Sequence, residues 1–371
     1  MRCLELFAGA GGLAKGFDLA GFTHDAFLEW NADACETLRR NFPSDKVFEV
    51  DIKSVDFNDF NSVDFVVGGP PCQPFSLGGK AKGNLDQRDM FPYAIQSIKE
   101  INPKAFLFEN VKGLLRNSFK EYFEFIILGL TYPTEVNSEE SIVVQLERLR
   151  KIKFNTYTGI KYRVKYQLVN AANYGIPQKR ERVFIVGIRG DINREWEFPA
   201  ATHTEDALLW EKYVTGEYWS RHNLSTPLFD NEFKTQQVKL VSKFGMFPPE
   251  ERAWVTIRDI METPSESPFV SDKEIRSGAR EYPGHTGSLI DEPSKTIKAG
   301  AHGVPGGENM VKFPDGTVRY LTIGEAKRIQ AFPDEYEITG SWTEAMRQLG
   351  NAVPVGLAYV MAKHLYSLFC R

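Results

Sequence analysis

The chain has 371 residues, of which 42% are hydrophobic and 25% charged, and its formal net charge is −4. This length exceeds that of a typical single domain, and the composition is that of a globular protein, which excludes a disordered chain and a disulfide-stapled mini-protein. The net charge neither indicates nor excludes nucleic acid binding, because binding depends on where positive charge clusters.

Cysteine spacing and hydropathy limit the class of protein further. The four cysteines, Cys3, Cys35, Cys72 and Cys370, form no CxxC pair, so we expect neither a metal site nor a disulfide framework. The longest apolar stretch, residues 125–130, is too short to span a membrane, and the sequence starts with a strand pattern instead of a signal peptide. We therefore expect no membrane association and a cytoplasmic location.

The first 190 residues alternate between the two-residue period of strands and the 3.6-residue period of helices. We predict strands at residues 2–7, 25–30, 47–52, 64–67, 105–108, 166–170 and 183–188, and helices at residues 12–20, 31–42 and 91–101. This alternation predicts an α/β fold with a doubly wound, mostly parallel sheet.

The sequence changes character after about residue 190, where periodicity is weak until about residue 320. Residues 322–329 then predict a capped helix, and residues 354–369 predict a helix that returns to the first domain. We therefore predict one domain from residues 1–189 and 317–371, and a smaller domain from residues 190–316. The charged stretch 134–158 predicts an amphipathic helical excursion from the first domain.

A glycine-rich turn joins the first predicted strand to the first helix, which is the order that a nucleotide cofactor requires. Gly9, Gly11 and Ala14 fit the pattern GxGxxA. Glu29 follows about 20 residues later, where a carboxylate can hold ribose hydroxyls, and Trp30 could stack on an adenine. The alternative is a structural turn in which Glu29 caps the next helix. The pattern alone does not distinguish a dinucleotide from S-adenosylmethionine.

The segment GGPPCQPFS, residues 68–76, follows a predicted strand at the sheet edge where α/β proteins bind ligands. Two prolines before Cys72 favour a rigid turn that exposes the thiol, whereas a lone cysteine is otherwise often a small buried residue. The loop that follows contains several glycines together with Lys80, Lys82 and Arg88. It predicts a basic lid that closes on an anionic partner, with a plain surface loop as the alternative.

Two further segments carry candidate catalytic side chains. Glu109 ends the next predicted strand, on the same sheet edge as Cys72, where its carboxyl group could act as an acid or base; the alternative is a helix cap. Arg180 and Arg182 precede the strand at residues 183–188, and strand alternation places both on one face. Two guanidinium groups there could lower the pKa of a cysteine or bind a phosphate or carbonyl oxygen. A solvated basic turn is the alternative.

In this order, the segments resemble the DNA (cytosine-5) methyltransferase family. The resemblance covers about residues 1–190 and 317–365 and consists of LFAGAGG at 6–12, PPCQ at 70–73, ENV at 109–111, QKRER at 178–182, RYLT at 319–322, RIQAFP at 328–333 and GNAVP at 350–354. Each motif is modest, but their ordered combination is specific. The resemblance implies a Rossmann-like, class I S-adenosylmethionine-dependent methyltransferase. Residues 1–189 and 317–371 would form its catalytic and cofactor-binding domain, and residues 190–316 its target-recognition domain.

The resemblance also implies a reaction. Cys72 would add to C6 of a cytosine, which activates C5 to accept a methyl group, and loss of the C5 proton and of Cys72 would then release 5-methylcytosine. Glu109 would hold or protonate N3, Arg182 would contact O2, and Arg180 would support the Cys72 region. The target base must leave the duplex to reach Cys72.

The family pattern assigns binding residues as well. The residues implied for S-adenosylmethionine are Phe7, Ala8, Gly9, Gly11, Glu29, Trp30, Asp51, Ile52, Pro70, Phe91, Asn351 and Val353. The residues implied for DNA are Gln73, Ser76, Arg88, Thr296, Ile297 and Lys298, among which Thr296 and Ile297 resemble the family's threonine-plus-aliphatic dipeptide. Double-stranded DNA is the implied partner. We also expect a monomer that serves a bacterial restriction-modification system with a cognate endonuclease, a phage origin being equally compatible.

Three other functions are compatible with parts of the pattern. An RNA methyltransferase could use the same cysteine on a tRNA base, although the long region before Arg319 favours duplex DNA. A catalytically silent DNA-binding relative would have no need of Cys72, Glu109, Arg180 and Arg182. A nicotinamide oxidoreductase would use the glycine turn and Glu29 but would leave the Pro-Pro-Cys loop without a role.

Overall fold

The computed structural model describes residues 1–71, 89–227, 230–283, 285–299 and 309–370. The chain divides into two compact units. Unit 1 comprises Met1–Val169, Glu181–Pro199 and Ala358–Arg371, and unit 2 comprises Asn170–Arg180 and Ala200–Leu357. These bounds differ from those of the predicted domains, 1–189 with 317–371 and 190–316. The functional division between catalysis and DNA recognition stays a prediction.

The strands of the described residues are β1 Arg2–Leu6, β2 Thr23–Glu29, β3 Val47–Glu49, β4 Phe65–Gly68, β5 Ala105–Val111, β6 Tyr162–Asn170, β7 Gln178–Lys179, β8 Glu181–Arg189, β9 His203–Thr204, β10 Arg252–Ala253, β11 Ser288–Leu289, β12 Ser294–Lys295, β13 Met310–Lys312 and β14 Val318–Tyr320. Their α-helices are α1 Gly12–Leu19, α2 Ala32–Asn41, α3 Phe91–Ile101, α4 Lys120–Thr131, α5 Ile142–Leu149, α6 Glu205–Trp210, α7 Glu217–Arg221, α8 Asn231–Phe244, α9 Ile257–Met261, α10 Ile323–Ile329, α11 Trp342–Asn351 and α12 Val355–Phe369.

Unit 1 is built on a seven-stranded sheet with the order β3-β2-β1-β4-β5-β8-β6. The five strands β1 to β5 pair in parallel, and β8 pairs antiparallel to β5. The prediction of an α/β fold with a mostly parallel sheet is therefore confirmed. The chain reverses its direction of travel across the sheet between β1 and β4, which is where open α/β sheets bind ligands.

The central strands are buried on both faces because helices cover both sides of such a sheet. All four residues of β4 are buried, as are the first six of β5. Their side chains join a core with α3, in which Val66, Phe106 and Ile98 are each fully buried. Helix α3 starts after Asp89, whose Oδ1 accepts a hydrogen bond from the Phe91 amide (3.1 Å), and it has a proline in its first turn. This core fixes the ends of β4 and β5 relative to each other.

The last helix packs on the first one within unit 1. A Cβ added to Gly16 would lie 2.4 Å from Cβ of Ala358, so α1 and α12 approach closely. The rings of Phe65 and Phe369 also meet edge to face, with centroids 5.0 Å apart. Residues 342–369, which form α11 and α12, have the length and apolar composition of a membrane span, but half of their most apolar part is buried inside the protein.

Several element boundaries differ from the predicted ones. The predicted strand 47–52 ends at Glu49, because Asp51 caps a short 3-10 helix by accepting a hydrogen bond from the Lys53 amide (3.0 Å). Helix α4 is not among the predicted elements. The charged stretch 134–158 contains one α-helix, α5, which Ser141 caps through a hydrogen bond from the Val144 amide.

The strands of unit 2 have only two or three residues each, whereas its helices range from five residues (α7 and α9) to fourteen (α8). Its sheets are β10-β9, β11-β13-β14 and β12-β7. One buried cluster contains Ala172, Leu208, Tyr218 and Trp254. A second buried contact is an ion pair between Lys327 and Asp272 (Nζ to Oδ2, 2.6 Å), whose side chains are 0% and 2% exposed. Unit 2 also buries apolar side chains such as Val311, Leu321, Ile329 and Leu349, each 0% exposed, so this ion pair lies beside an apolar core.

Candidate active site

The glycine turn after β1 has the backbone conformation that a close ligand approach requires. Phe7, Gly9 and Gly11 have φ values of 56°, 54° and 78°, which glycine adopts readily and a phenylalanine adopts only at a cost of about 1–3 kcal/mol. Among the described residues, a Cβ added to Gly9 would meet no atom within 4 Å. The described residues therefore leave room beside this turn at the carboxyl end of β1.

Glu29 holds this turn from the neighbouring strand. Its Oε2 accepts a hydrogen bond from the Gly9 amide (2.8 Å), and its Oε1 accepts from the amides of Trp30 (2.9 Å) and Asn31 (2.8 Å). Glu29 is 7% exposed, whereas Trp30 is 75% exposed. The carboxylate thus fixes the glycine turn and the start of α2, and a large aromatic face lies open beside it.

Most of the other predicted cofactor residues of unit 1 also lie where a parallel strand of the sheet ends. Asp51 and Ile52 come just after β3, and Pro70 comes just after β4, so all lie at the carboxyl edge of parallel strands. Phe91 begins α3 and is fully buried in the core that also contains Ile52. Asn351 and Val353 belong to unit 2, where Asn351 is exposed and Val353 is buried.

Asn110 ties the end of β5 to the segment that leads to Cys72. Its Nδ2 donates a hydrogen bond to the carbonyl of Pro70 (2.9 Å), and its Oδ1 accepts one from the Val111 amide (2.8 Å). Asn110 is 3% exposed. Sequence reasoning assigned no role to this residue, although its place between Glu109 and Val111 in the ENV motif was a usable signal.

Glu109 and Arg182 meet at this edge because β5 and β8 run antiparallel, with Val111 opposite Arg182. Arg182 Nε lies 2.7 Å from Glu109 Oε1, and the two side chains are only 12% and 10% exposed. Burial lowers the pKa of Arg182 from its ordinary value, and the charge of Glu109 opposes this shift. A Cβ added to Gly69 would lie 3.4 Å from Glu109 Oε2, so the carboxylate lies beside the start of the Cys72 loop.

Arg180 has different partners from Arg182. It lies between β7 and β8, and it is 1% exposed. Its guanidinium donates to the carbonyls of Ile297 (3.2 Å), Gly350 (2.9 Å) and Ala352 (2.8 Å) in unit 2. The prediction that Arg180 and Arg182 share a strand face is wrong, because β8 begins only at Glu181.

The predicted DNA-binding residues of unit 2 are partly engaged in its framework. Thr296 Oγ1 donates a hydrogen bond to the carbonyl of Lys179 (2.9 Å), and the Ile297 side chain is fully buried. Lys298 is exposed. The predicted residues Cys72, Gln73, Ser76 and Arg88 lie outside the described residues. In the part of the chain that the structure describes, no three or more His, Cys, Asp or Glu side chains are grouped so as to hold a metal ion.

Comparison with known proteins identifies the family. A family model described as C-5 cytosine-specific DNA methylase matches residues 1–131 and 137–367. Type II methyltransferase M.PspPI of Psychrobacter sp. is 36% identical over 375 residues, which cover 97% of this chain and 77% of that protein. Type II methyltransferase M.Eco47II of Escherichia coli is 33% identical over 371 residues, covering 98% and 78%.

Solved structures agree with the fold. A DNA modification methyltransferase encoded within an E. coli prophage matches with a TM-score of 0.58 at 20% identity, over all of both chains. The S. pombe Dnmt2 methyltransferase matches with a TM-score of 0.57 at 18% identity, over 100% of this chain and 98% of that one. The length of the family match and the identity to these relatives decide the assignment: this chain belongs to the C-5 cytosine-specific DNA methylase family, whose members transfer a methyl group from a donor cofactor to C5 of cytosine in DNA.

Proposed function

We propose that Cys72 is the nucleophile of this DNA (cytosine-5) methyltransferase and that Glu109 and Arg182 hold the target base beside it. The observation that carries the proposal is the Glu109–Arg182 ion pair (2.7 Å) at the edge of the sheet, next to Gly69 and Pro70, which lead directly to Cys72. A carboxyl group and a guanidinium side by side match the N3 and O2 edge of a pyrimidine in hydrogen-bonding character.

The reaction requires a nucleophile because a pyrimidine C5 is itself poorly nucleophilic. The Cys72 thiolate would add to C6, and the electron pair displaced from the ring double bond would make C5 nucleophilic while Glu109 donates a proton or hydrogen bond at N3. Arg182 would orient O2. After C5 is methylated, a base would take the C5 proton, the pair would reform the double bond, and the bond between C6 and Sγ would break to release Cys72.

The methyl donor that we propose is S-adenosylmethionine, which supplies the methyl group when bound. The room that the described residues leave beside Gly9 and the exposed face of Trp30 support this assignment, since the first lets a ligand approach the backbone and the second suits stacking on an adenine. We propose the further contacts from Phe7, Glu29 and Asp51 at the same edge of the sheet, and the family pattern assigns Asn351 and Val353 to the cofactor as well. Glu29 would meet the ribose while it keeps its hold on the Gly9 amide.

The proposed substrate is a cytosine within a specific double-stranded sequence. A base stacked in a duplex cannot reach a side-chain pair of this kind, so the target nucleotide must be flipped out. We propose that residues 190–316 choose the sequence. Since the Ile297 side chain is buried, contacts from the dipeptide would come from Thr296 and from the neighbouring Lys298.

The relatives named as type II methyltransferases support a role in restriction-modification. On that basis we propose that the enzyme protects cytoplasmic DNA against a cognate endonuclease and acts as a monomer.

Bisulfite sequencing of plasmid DNA from a host that expresses the protein tests the activity and identifies the sequence. We expect 5-methylcytosine at one defined site with the wild type and with Cys370→Ala, and none with Cys72→Ala. A duplex that carries 5-fluorocytosine at this site should trap the wild type covalently, because fluorine does not leave as a proton does. Turnover of Cys72→Ala within tenfold of wild type would contradict the mechanism. Methylation of tRNA but not of duplex DNA in parallel assays would favour the RNA alternative.

A further inference from the structure

Unit 2 joins a proposed DNA-binding segment to a proposed cofactor-binding segment through backbone contacts. We call residues 296–299 the recognition segment and residues 350–353 the C-terminal motif segment. A Cβ added to Gly350 would lie 2.3 Å from the Ala299 nitrogen and 2.5 Å from the Lys298 carbonyl carbon. The two backbones are therefore in direct contact, and any side chain at position 350 would force them apart.

The Arg180 side chain connects the same two segments. It donates to Ile297 in the recognition segment and to both Gly350 and Ala352 in the C-terminal motif segment, at 2.8 to 3.2 Å. Because Arg180 is 1% exposed, these charge-assisted bonds form away from water, where they are strong and where their loss leaves a buried charge with fewer partners. Movement of either segment would break one of these bonds.

An arginine is required for this connection. Its guanidinium carries five donors in a planar fork and can bind carbonyls that diverge from one another, whereas a lysine presents its donors from a single nitrogen. The recognition segment has a second anchor in Asn309, which is 2% exposed. Asn309 accepts a hydrogen bond from the Lys298 amide and donates one to the Lys298 carbonyl, both at 3.3 Å.

We propose that Arg180 is a positioning residue that couples cofactor binding to DNA binding. When the cofactor orders the C-terminal motif segment, Arg180 and the backbone contact also order the recognition segment. DNA binding then costs less conformational entropy, because this segment is already ordered. The same coupling acts in the other direction. This inference rests on the proposed function, because that function places the cofactor at Asn351 and Val353 and the DNA at Thr296 and Lys298.

The test measures the Kd of a fluorescent duplex carrying the site found by bisulfite sequencing, with and without saturating S-adenosylhomocysteine. For the wild type we expect the cofactor product to tighten DNA binding by about fivefold or more. For Arg180→Lys we expect this factor to fall to about one. The matched control is Arg163→Lys, since Arg163 in unit 1 also donates to three backbone carbonyls, those of Gly190, Ile192 and Arg194. In Arg163→Lys, S-adenosylhomocysteine should tighten DNA binding by the same factor as in the wild type.

A wild-type factor in Arg180→Lys, or an equal loss in Arg163→Lys, would overturn the inference. If Arg180→Lys shows no cooperative thermal transition, Arg180→Gln replaces it, and a reduced coupling factor with unchanged affinity for S-adenosylhomocysteine alone supports the proposal, whereas an unchanged factor overturns it. Failure of the wild type to bind S-adenosylhomocysteine would contradict the proposed function itself. Binding of both ligands without coupling would contradict only the role of Arg180.

Discussion

Glu109 is the residue whose chemistry can be tested most directly. Glu109→Gln keeps the shape of the side chain but cannot donate the proton of a carboxylic acid, so we expect the single-turnover methylation rate to fall by about 100-fold or more. The affinity for duplex DNA should change little. The rate is measured by quench-flow with radiolabelled S-adenosylmethionine at saturating DNA. An unchanged rate would mean that Glu109 has only a structural role, as the ion-pair partner of Arg182.

The ion pair of Glu109 and Arg182 also affects stability. Arg182→Leu leaves a nearly buried carboxylate without this partner, and such a loss costs about 3–5 kcal/mol. The double variant with Glu109→Gln should recover part of this free energy of unfolding, measured by urea denaturation. Lys112→Leu is the control, because its ion pair with Glu181 (2.8 Å) is 59% and 43% exposed and should cost about 0–1 kcal/mol. Additive costs in the double variant would contradict the coupling.

At the scale of elements, the strand and helix pattern predicted the sheet well where periodicity was clear. Strand 47–52 was predicted too long because the alternation continues through Ile52, while Asp51 uses its side chain to cap a 3-10 helix instead. Helix α4 was missed because its sequence, KEYFEFIILGLT, is apolar on nearly all sides and shows little 3.6-residue period.

Sequence patterns predicted candidate site residues but not the contacts that these residues make. The contact of Glu109 with Arg182 depends on the antiparallel pairing of β5 with β8, which no local pattern encodes. Arg180 binds carbonyls 117, 170 and 172 residues further along the chain. Its role was predicted by resemblance to lie near Cys72. Its hydrogen bonds in unit 2 could be known only once the fold was known.

A buried polar contact joins β1, β2 and α1 and should make stability depend on pH. Glu5 binds His24 Nε2 (3.1 Å) and the Ala14 amide (3.1 Å). Burial alone would lower the pKa of His24, but Cys3 and Glu5 outweigh it and raise this pKa to about 10. Since the unfolded pKa is about 6.5, the stabilisation is complete below pH 6.5 and is lost as the pH rises towards 10.

We therefore expect the free energy of unfolding to fall between pH 7 and pH 9.5, and to fall less in His24→Gln. Urea denaturation at both pH values measures the difference. His203→Gln is the control, because burial and Arg252 lower the pKa of His203, so protonation of His203 does not stabilise the folded state over this range. An equal fall in wild type and His24→Gln would show that His24 is not charged in the folded protein.

At the scale of the whole molecule, the cofactor that the protein binds should raise its thermal stability. A ligand at 100 times its Kd stabilises the folded state by about 2.7 kcal/mol if it does not bind the unfolded chain. S-adenosylhomocysteine should raise the Tm, whereas NAD at the same concentration should leave it unchanged. Differential scanning fluorimetry measures both. A shift with NAD alone would favour the oxidoreductase alternative over the proposed cofactor.

The proposed choice of DNA sequence by residues 190–316 is tested most directly at Lys298, since its side chain is exposed next to Thr296. If Lys298 contacts a base edge, Lys298→Ala should cost about 1–3 kcal/mol on the methylated sequence and almost nothing on a scrambled duplex. Competition between the two duplexes at two salt concentrations measures this difference in binding free energy.

Lys295→Ala is the control, because Lys295 is also exposed but donates to Thr286 Oγ1 (2.9 Å). Equal weakening on both duplexes, with a salt slope lower by about one, would instead identify a phosphate contact. Base recognition would then have to come from other residues of 190–316 or from the basic loop after Cys72.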